Sequence, residues 1–151
     1  MKILFATDGD RQSDAAVDML RHFALIEGDQ MLVVTVIDMA IPMSVDVSGG
    51  YLPDTGEFEA AARENAAAIL ETASQKLRAV FPTAGISIDT RVLFGSPDSR
   101  IVEAAGEMHP DLIVLGSRGH NRLERIFLGS VSDSVMHHAP CSVLIVHAPA
   151  Q

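Results

Sequence analysis

Three glycines and the serines behind them are the residues of this chain best arranged for chemistry. They stand as Gly116-x2-Gly119-x9-Gly129-Ser130-Val131-Ser132, directly after the apolar tetrad Leu112-Ile113-Val114-Leu115. Gly116 and Gly119 are expected to let the backbone turn with positive φ and aim N–H groups into a concavity. Gly129-Ser130 is expected to open a helix whose first N–H groups have no intrahelical acceptor. Such a place holds anions, phosphate above all. Arg118, Arg122 and Arg125 put three of the chain's eleven basic residues in the same stretch, opposed only by Glu124. The hydroxyls of Ser130 and Ser132 add donors, and His120 is a further candidate donor. A second polar cluster, Thr7-Asp8-Gly9-Asp10, follows the first apolar run of the chain.

Both clusters need strands to carry them. Lys2 to Ala6, Met31 to Ile37, Asp111 to Leu115 and Cys141 to Val146 are short, nearly continuous apolar runs rich in Val, Ile and Leu, the pattern of parallel strands covered on both faces. Ile86 to Leu93 alternates apolar and polar residues, as an edge strand with one wet face does. Between them lie helical spacings: Ala16, Leu20 and Phe23; Ala66, Leu70, Ala73, Leu77 and Phe81; Ile101, Ala104, Ala105 and Met108. Strand and helix alternate throughout. With right-handed crossovers, this predicts one α/β domain over residues 1–151, a doubly wound five-stranded parallel sheet of order 3-2-1-4-5 with helices on both faces. In that order strands one and four are neighbours, so Thr7-Asp8 and the glycine loop border one crevice at the carboxyl ends of the strands. The stretch from Asp38 to Gly56, with Pro42, Gly49, Gly50 and Pro53, reads as a long irregular loop.

Composition narrows the partners. The chain has 151 residues, 48% of them hydrophobic, with twenty acidic against eleven basic residues and a net charge of −9. That acidic field repels nucleic-acid backbones and anionic lipid surfaces, so neither is an expected partner. A single cysteine, Cys141, excludes an internal disulfide and a CxxC site. The apolar run from Met1 to Ala6 is too short for a signal peptide, and no apolar stretch reaches the ~20 residues of a membrane span. A cytoplasmic protein is expected.

The spacing Gly116-x2-Gly119-x9-Gly129-Ser130, set between Leu112-Ile113-Val114-Leu115 and Ala139-Pro140-Cys141-Ser142-Val143-Leu144-Ile145-Val146, closely resembles the universal stress protein family, in its ATP-binding branch. The likeness also takes in Ile3 to Asp8, Val33 to Asp38 and the helix-rich middle. It implies ATP as ligand. Asp8 and the backbone at Thr7 would contact the adenosine, and the main chain of Val36 the adenine edge. Gly116 and Gly119 would approach the ribose and phosphates, with Arg118 between them. Gly129, Ser130, Val131 and Ser132 would hold the phosphate tail, a divalent metal such as Mg²⁺ bridging phosphate oxygens. The likeness also implies a stress-response role and homodimers. The sequence itself points the same way on dimers. A fifth strand at a sheet edge would leave Val143-Leu144-Ile145-Val146 with no lysine, proline or bulge to blunt it, so pairing of the Cys141 to Val146 strand with a second copy is expected.

Other chemistries are weaker. Asp8-Gly9-Asp10 after a first strand is also the start of a metal-dependent phosphatase or ATPase that uses Asp8 as nucleophile. Such a site needs a nearby lysine and a later acidic pair, whereas the only lysines are Lys2 and Lys76 and the fourth strand ends in Gly116-Ser117. His137, His138, Cys141 and His147 do not have metal-ligand spacing. No catalytic residue and no protein metal ligand is assigned. A nucleotide-dependent regulatory module is expected, with at most slow ATP hydrolysis driven by electrostatic stabilisation alone.

Overall fold

A computed structural model of the chain describes residues 1–38, 55–117 and 128–148. The elements run β1 (Lys2–Ala6), α1 (Arg11–Leu20), β2 (Gln30–Ile37), α2 (Thr55–Val80), β3 (Ser87–Phe94), α3 (Pro97–Met108), β4 (Leu112–Gly116), α4 (Ser130–His138) and β5 (Ser142–Val146). The five strands form one parallel sheet in the order β3-β2-β1-β4-β5, as the alternation of elements predicts.

Strand periodicity sorts the core into two layers. Ile3, Phe5, Met31, Val33 and Val114 face α1 and α2, where they meet Val17, Leu20, Leu70 and Leu77. Leu4, Ala6, Leu32, Val34, Ile113 and Leu115 face the other way, against Ile101, Ala105 and Val135 of α3 and α4. Central β1 and β4 are therefore apolar at every residue that both faces need. The edges differ. Along β3 the exposed Ser87, Asp89 and Arg91 alternate with half-buried Ile88 and Val92, matching the expected edge strand. β5 is the other edge, and its Val143, Leu144 and Ile145 are only half-buried, so the fifth run is not covered on both faces as its composition suggests.

Some boundaries shift. Phe23 lies beyond the end of α1 and Phe81 just beyond α2, yet both pack against the first layer. Pro97 stands at the first helical position of α3, where its fixed φ and missing N–H cost nothing. Residues 39–54 of the expected long loop lie outside the described residues, and α2 begins at its end. No helix among the described residues is long and apolar enough to cross a membrane.

Candidate functional site

β1 ends at Ala6, which pairs with Val34 on one side and Leu115 on the other, so the segment after β1 emerges between β2 and β4. Thr7 donates its N–H to the carbonyl of Val34 at 2.9 Å, and its Oγ1 accepts the N–H of Gly9 at 3.1 Å. Gly9 has φ +79°, the left-handed region that L-residues other than glycine rarely enter, and a Cβ there would lie 2.9 Å from Cγ1 of Ile69. The turn is built from carboxylates as well. Oδ1 of Asp8 accepts the Ser13 hydroxyl at 3.0 Å and the Asp10 N–H at 3.2 Å. Asp10 caps α1 by accepting the N–H groups of Gln12 at 2.8 Å and Ser13 at 3.0 Å. Burial raises the pKa of Asp10, and the neighbouring Asp8 charge adds to the rise, against the two capping N–H groups that favour the carboxylate.

Val36 belongs to the same crevice. In a parallel ladder the N–H and C=O of one residue point to the same side, and residues two apart share that side. Val34 offers its carbonyl to Thr7, and Ile37 offers its own to Gly95 on the β3 side. The backbone N–H and C=O of Val36 therefore face the β1 side, above the point where β1 has ended. That pair of groups, one donor and one acceptor, is what a purine edge requires.

Across the crevice, Gly116 closes β4. Its φ lies outside the left-handed region, contrary to the positive φ expected of it. The reason for glycine is space: a Cβ would sit 2.7 Å from Cβ of Gln12 and 3.2 Å from the Gln12 carbonyl carbon, so the missing side chain lets the first turn of α1 lie against the end of β4. Gly129, likewise without positive φ at −65°, is the N-cap of α4, which makes Ser130 the first helical residue. Asp133 donates to the Gly129 carbonyl at 2.9 Å as the first bond of the helix, and no side chain caps α4. Among the described residues the N–H groups of Ser130, Val131 and Ser132 meet no acceptor. Ser130 is exposed and Val131 half-buried, while Ser132 is buried. The Ser132 hydroxyl donates to the carbonyls of Ser117 and Gly129, both at 2.9 Å, so it shapes the loop and is not turned outward as an extra donor. Arg118, Gly119, His120, Arg122 and Arg125 lie outside the described residues.

Three residues near the site were not picked out by sequence reasoning: Ser13, Gln12 and Ser117. Ser13 sits five residues after Asp8, a local spacing that a helix-capping argument can reach. Gln12 and Ser117 meet only through the fold, with no local signal. Lys76 is drawn by α2 to Asp14 of α1, and with Thr7, Gly9 and Ser13 it borders a cleft of about 180 Å³ between the two helices. The C-terminal histidines are committed elsewhere: Nδ1 of His137 lies 2.8 Å from the Asp133 carbonyl, and Nδ1 of His138 lies 2.8 Å from that of Ser134. Among the described residues no three His, Cys, Asp or Glu side chains form a group that could hold a metal ion.

Comparison with known proteins agrees with this architecture. Residues 1–147 match the universal stress protein family. A universal stress protein of Staphylococcus aureus (strain USA300) is 34% identical over 146 residues, which cover 95% of this chain and 82% of the relative. Two solved structures share the fold. A universal stress protein in complex with cAMP has 27% identity and a TM-score of 0.63, covering 97% of this chain and 96% of that one. A universal stress protein family protein from Arabidopsis thaliana with AMP bound has 18% identity and a TM-score of 0.67, covering 99% and 93%. With its sheet order, its glycine-punctuated β4 to α4 connection and this match over nearly its whole length, the chain belongs to the universal stress protein family.

Proposed function

We propose that the chain, residues 1–151 acting as one unit, binds an adenine nucleotide, ATP with Mg²⁺, in the crevice at the carboxyl ends of β1, β2 and β4. The observation that carries this reading is the bare N-terminus of α4. Three successive N–H groups, from Ser130, Val131 and Ser132, have no acceptor among the described residues, and the cap position is a glycine with no side chain to supply one. The helix dipole adds a favourable field for negative charge at the same point, so an acidic chain can still hold an anion through its backbone. The outward backbone pair of Val36 suits the adenine edge, and Thr7 and Asp8 line the adenosine between the two. Gly116 leaves the floor of the crevice low, and Arg118 and Gly119, next in the sequence, are the further residues assigned to the ligand. That one related structure holds cAMP and another AMP supports an adenine ligand over other anions.

The site suits binding more than turnover. Asp8 organises its own turn, with Oδ1 accepting from Ser13 and Asp10. Among the described residues no side chain is committed to taking a proton from an attacking water; on this reading hydrolysis is slow and the nucleotide acts as a ligand that biases surface loops. Mg²⁺, if bound, would supply charge neutralisation for the phosphates and would arrive with the nucleotide. The protein works in the cytoplasm as a homodimer paired through β5, in a regulatory role during stress. Thermal unfolding with and without MgATP tests the reading. At 100 times Kd, ligand adds about 2.7 kcal/mol, a shift of roughly 5–10 °C for a domain of this size. No shift with ATP, ADP, AMP or cAMP contradicts it.

A further inference from the structure

The two ends of the β4 to α4 connection meet at one buried residue, and we infer that Ser117 and Gln12 are the positioning residues of the anion cradle. The inference rests on the nucleotide reading above. Ser117 is fully buried and every polar group it owns is engaged. Its N–H donates to the Val146 carbonyl at 2.8 Å, and its carbonyl accepts both the Gly129 N–H at 2.8 Å and the Ser132 hydroxyl at 2.9 Å. Its own hydroxyl donates to Oε1 of Gln12 at 3.3 Å. The same Gln12 oxygen accepts the N–H of Ala148, just past β5. A backbone N–H can only donate, so that bond also fixes which end of the Gln12 amide faces the network.

The consequences are geometric. Among the described residues, the two bonds that hold the start of α4 to the end of β4, from Gly129 and Ser132, both end on the Ser117 carbonyl. The directions of the Ser130, Val131 and Ser132 N–H groups therefore depend on where Ser117 is held. Ser117 is held in turn by β5 through Val146 and by α1 through Gln12. Gly116 lets Gln12 come close enough to do this, since any larger residue would strike its Cβ. Gln12 thus ties three segments together: the start of α1 beside the adenosine side of the crevice, the base of the phosphate loop, and the exit of the edge strand. It touches no ligand. Its role is to keep the N–H triad aimed, and to make the end of β5 feel whether the triad is occupied.

A positioning role predicts a selective loss. Gln12→Met keeps the length of the side chain but removes the acceptor, and Ser132→Ala removes one of the two bonds to the Ser117 carbonyl. Calorimetric titration of wild type and both variants with adenosine and with MgATP separates the two halves of the ligand. Each variant is expected to weaken MgATP roughly tenfold, the order set by one hydrogen bond, and adenosine less than twofold. Amide hydrogen exchange at Ala148 is expected to slow when MgATP binds wild type, and to be faster and ATP-insensitive in Gln12→Met. Equal weakening of adenosine and MgATP, or no weakening, overturns the inference while the nucleotide site stands. A wild type that binds neither ligand overturns both. Should Ser132→Ala fail to fold, Gln12→Met, at a half-buried position, carries the test alone.

Discussion

A single methyl group is enough to test the crevice floor. Gly116→Ala would place its Cβ against Cβ and the main chain of Gln12, neither of which can swing aside as the end of a flexible side chain could. Overpacking of this kind costs about 1–3 kcal/mol. The expected outcome is a lower melting temperature together with weaker MgATP binding, measured by thermal unfolding and titration. Asp10 gives a second test, since it is both a helix cap and a carboxylate made uncomfortable by burial and by Asp8. A folded-state pKa raised above the unfolded value means the fold binds that proton more tightly. Its contribution to stability therefore grows as pH falls through the folded pKa, and the charged form carries the cost at pH 7. Asp10→Asn keeps the cap and removes the charge, so at pH 7 its stability should equal or exceed wild type. Asp10→Ala should lose about 1 kcal/mol. Denaturant melts of the two variants at pH 7 decide this. At this scale the sequence was legible in kind but not in cause. The spacing of Gly116 and Gly129 marked the site, but the positive φ expected of Gly116 does not occur, and Gly129 opens α4 as expected. Gly116 is required by a neighbour, Gln12, that lies 104 positions away and that no local pattern announces.

Among elements, the two helices on the second face are tied by one carboxylate. Asp98, in the first turn of α3, accepts the Ser96 hydroxyl at 2.6 Å and, through its other oxygen, the Ser134 hydroxyl of α4 at 2.8 Å. Those two hydroxyls, with the Ser99 N–H, hold the Asp98 pKa below its ordinary value. A depressed folded pKa gives a contribution that is present above the unfolded value of about 3.9 and is lost as pH falls through the folded one. Asp98→Asn is therefore expected to lower stability above about pH 4, where that contribution is present, and to approach wild type as pH falls, which flattens the acid limb of the stability curve. An unchanged acid limb, in urea melts across pH 2–7, speaks against the α3 to α4 tie. The strands were easy to read because each needs apolar residues on both faces, and β1, β2 and β4 differ from their expected spans by at most a residue at either end. α2 was harder. Its buried Ala66, Leu70, Ala73 and Leu77 declare a helix, but residues 56–65 include no buried position and so leave no periodic signal of the helix's first turns.

Of the two sheet edges, β3 carries exposed polar residues, whereas β5 is apolar. β5 is also short and half-exposed at the border of the sheet, and no lysine or proline interrupts Ser142–Val146. On the proposed reading, pairing with a second copy completes it. Val143→Lys, whose ammonium group can reach solvent from this edge, is expected to convert a dimer into a monomer in sedimentation velocity, and a monomeric wild type contradicts the pairing. The network through Ser117, Val146 and Ala148 joins that edge to the N-terminus of α4, so the proposed dimer and the proposed nucleotide site would share a scaffold. In a chain of net charge −9, the proposed site relies on backbone N–H groups as donors to phosphate. The sheet order was legible because alternating elements and handed crossovers allow few topologies. The hub at Ser117 was not, because it joins three segments distant in sequence. The most direct measurement is isothermal titration of ligand-stripped protein with MgATP, alongside Gly129→Val. At φ −65° Gly129 has a backbone that any residue adopts, so the substitution adds bulk at the N-terminus of α4 without backbone strain, and thermal unfolding of the variant checks that it is folded. Saturable binding of one nucleotide per chain, abolished in the folded variant, is the predicted result; no heat with any adenine nucleotide, or equal binding by Gly129→Val, would contradict the cradle.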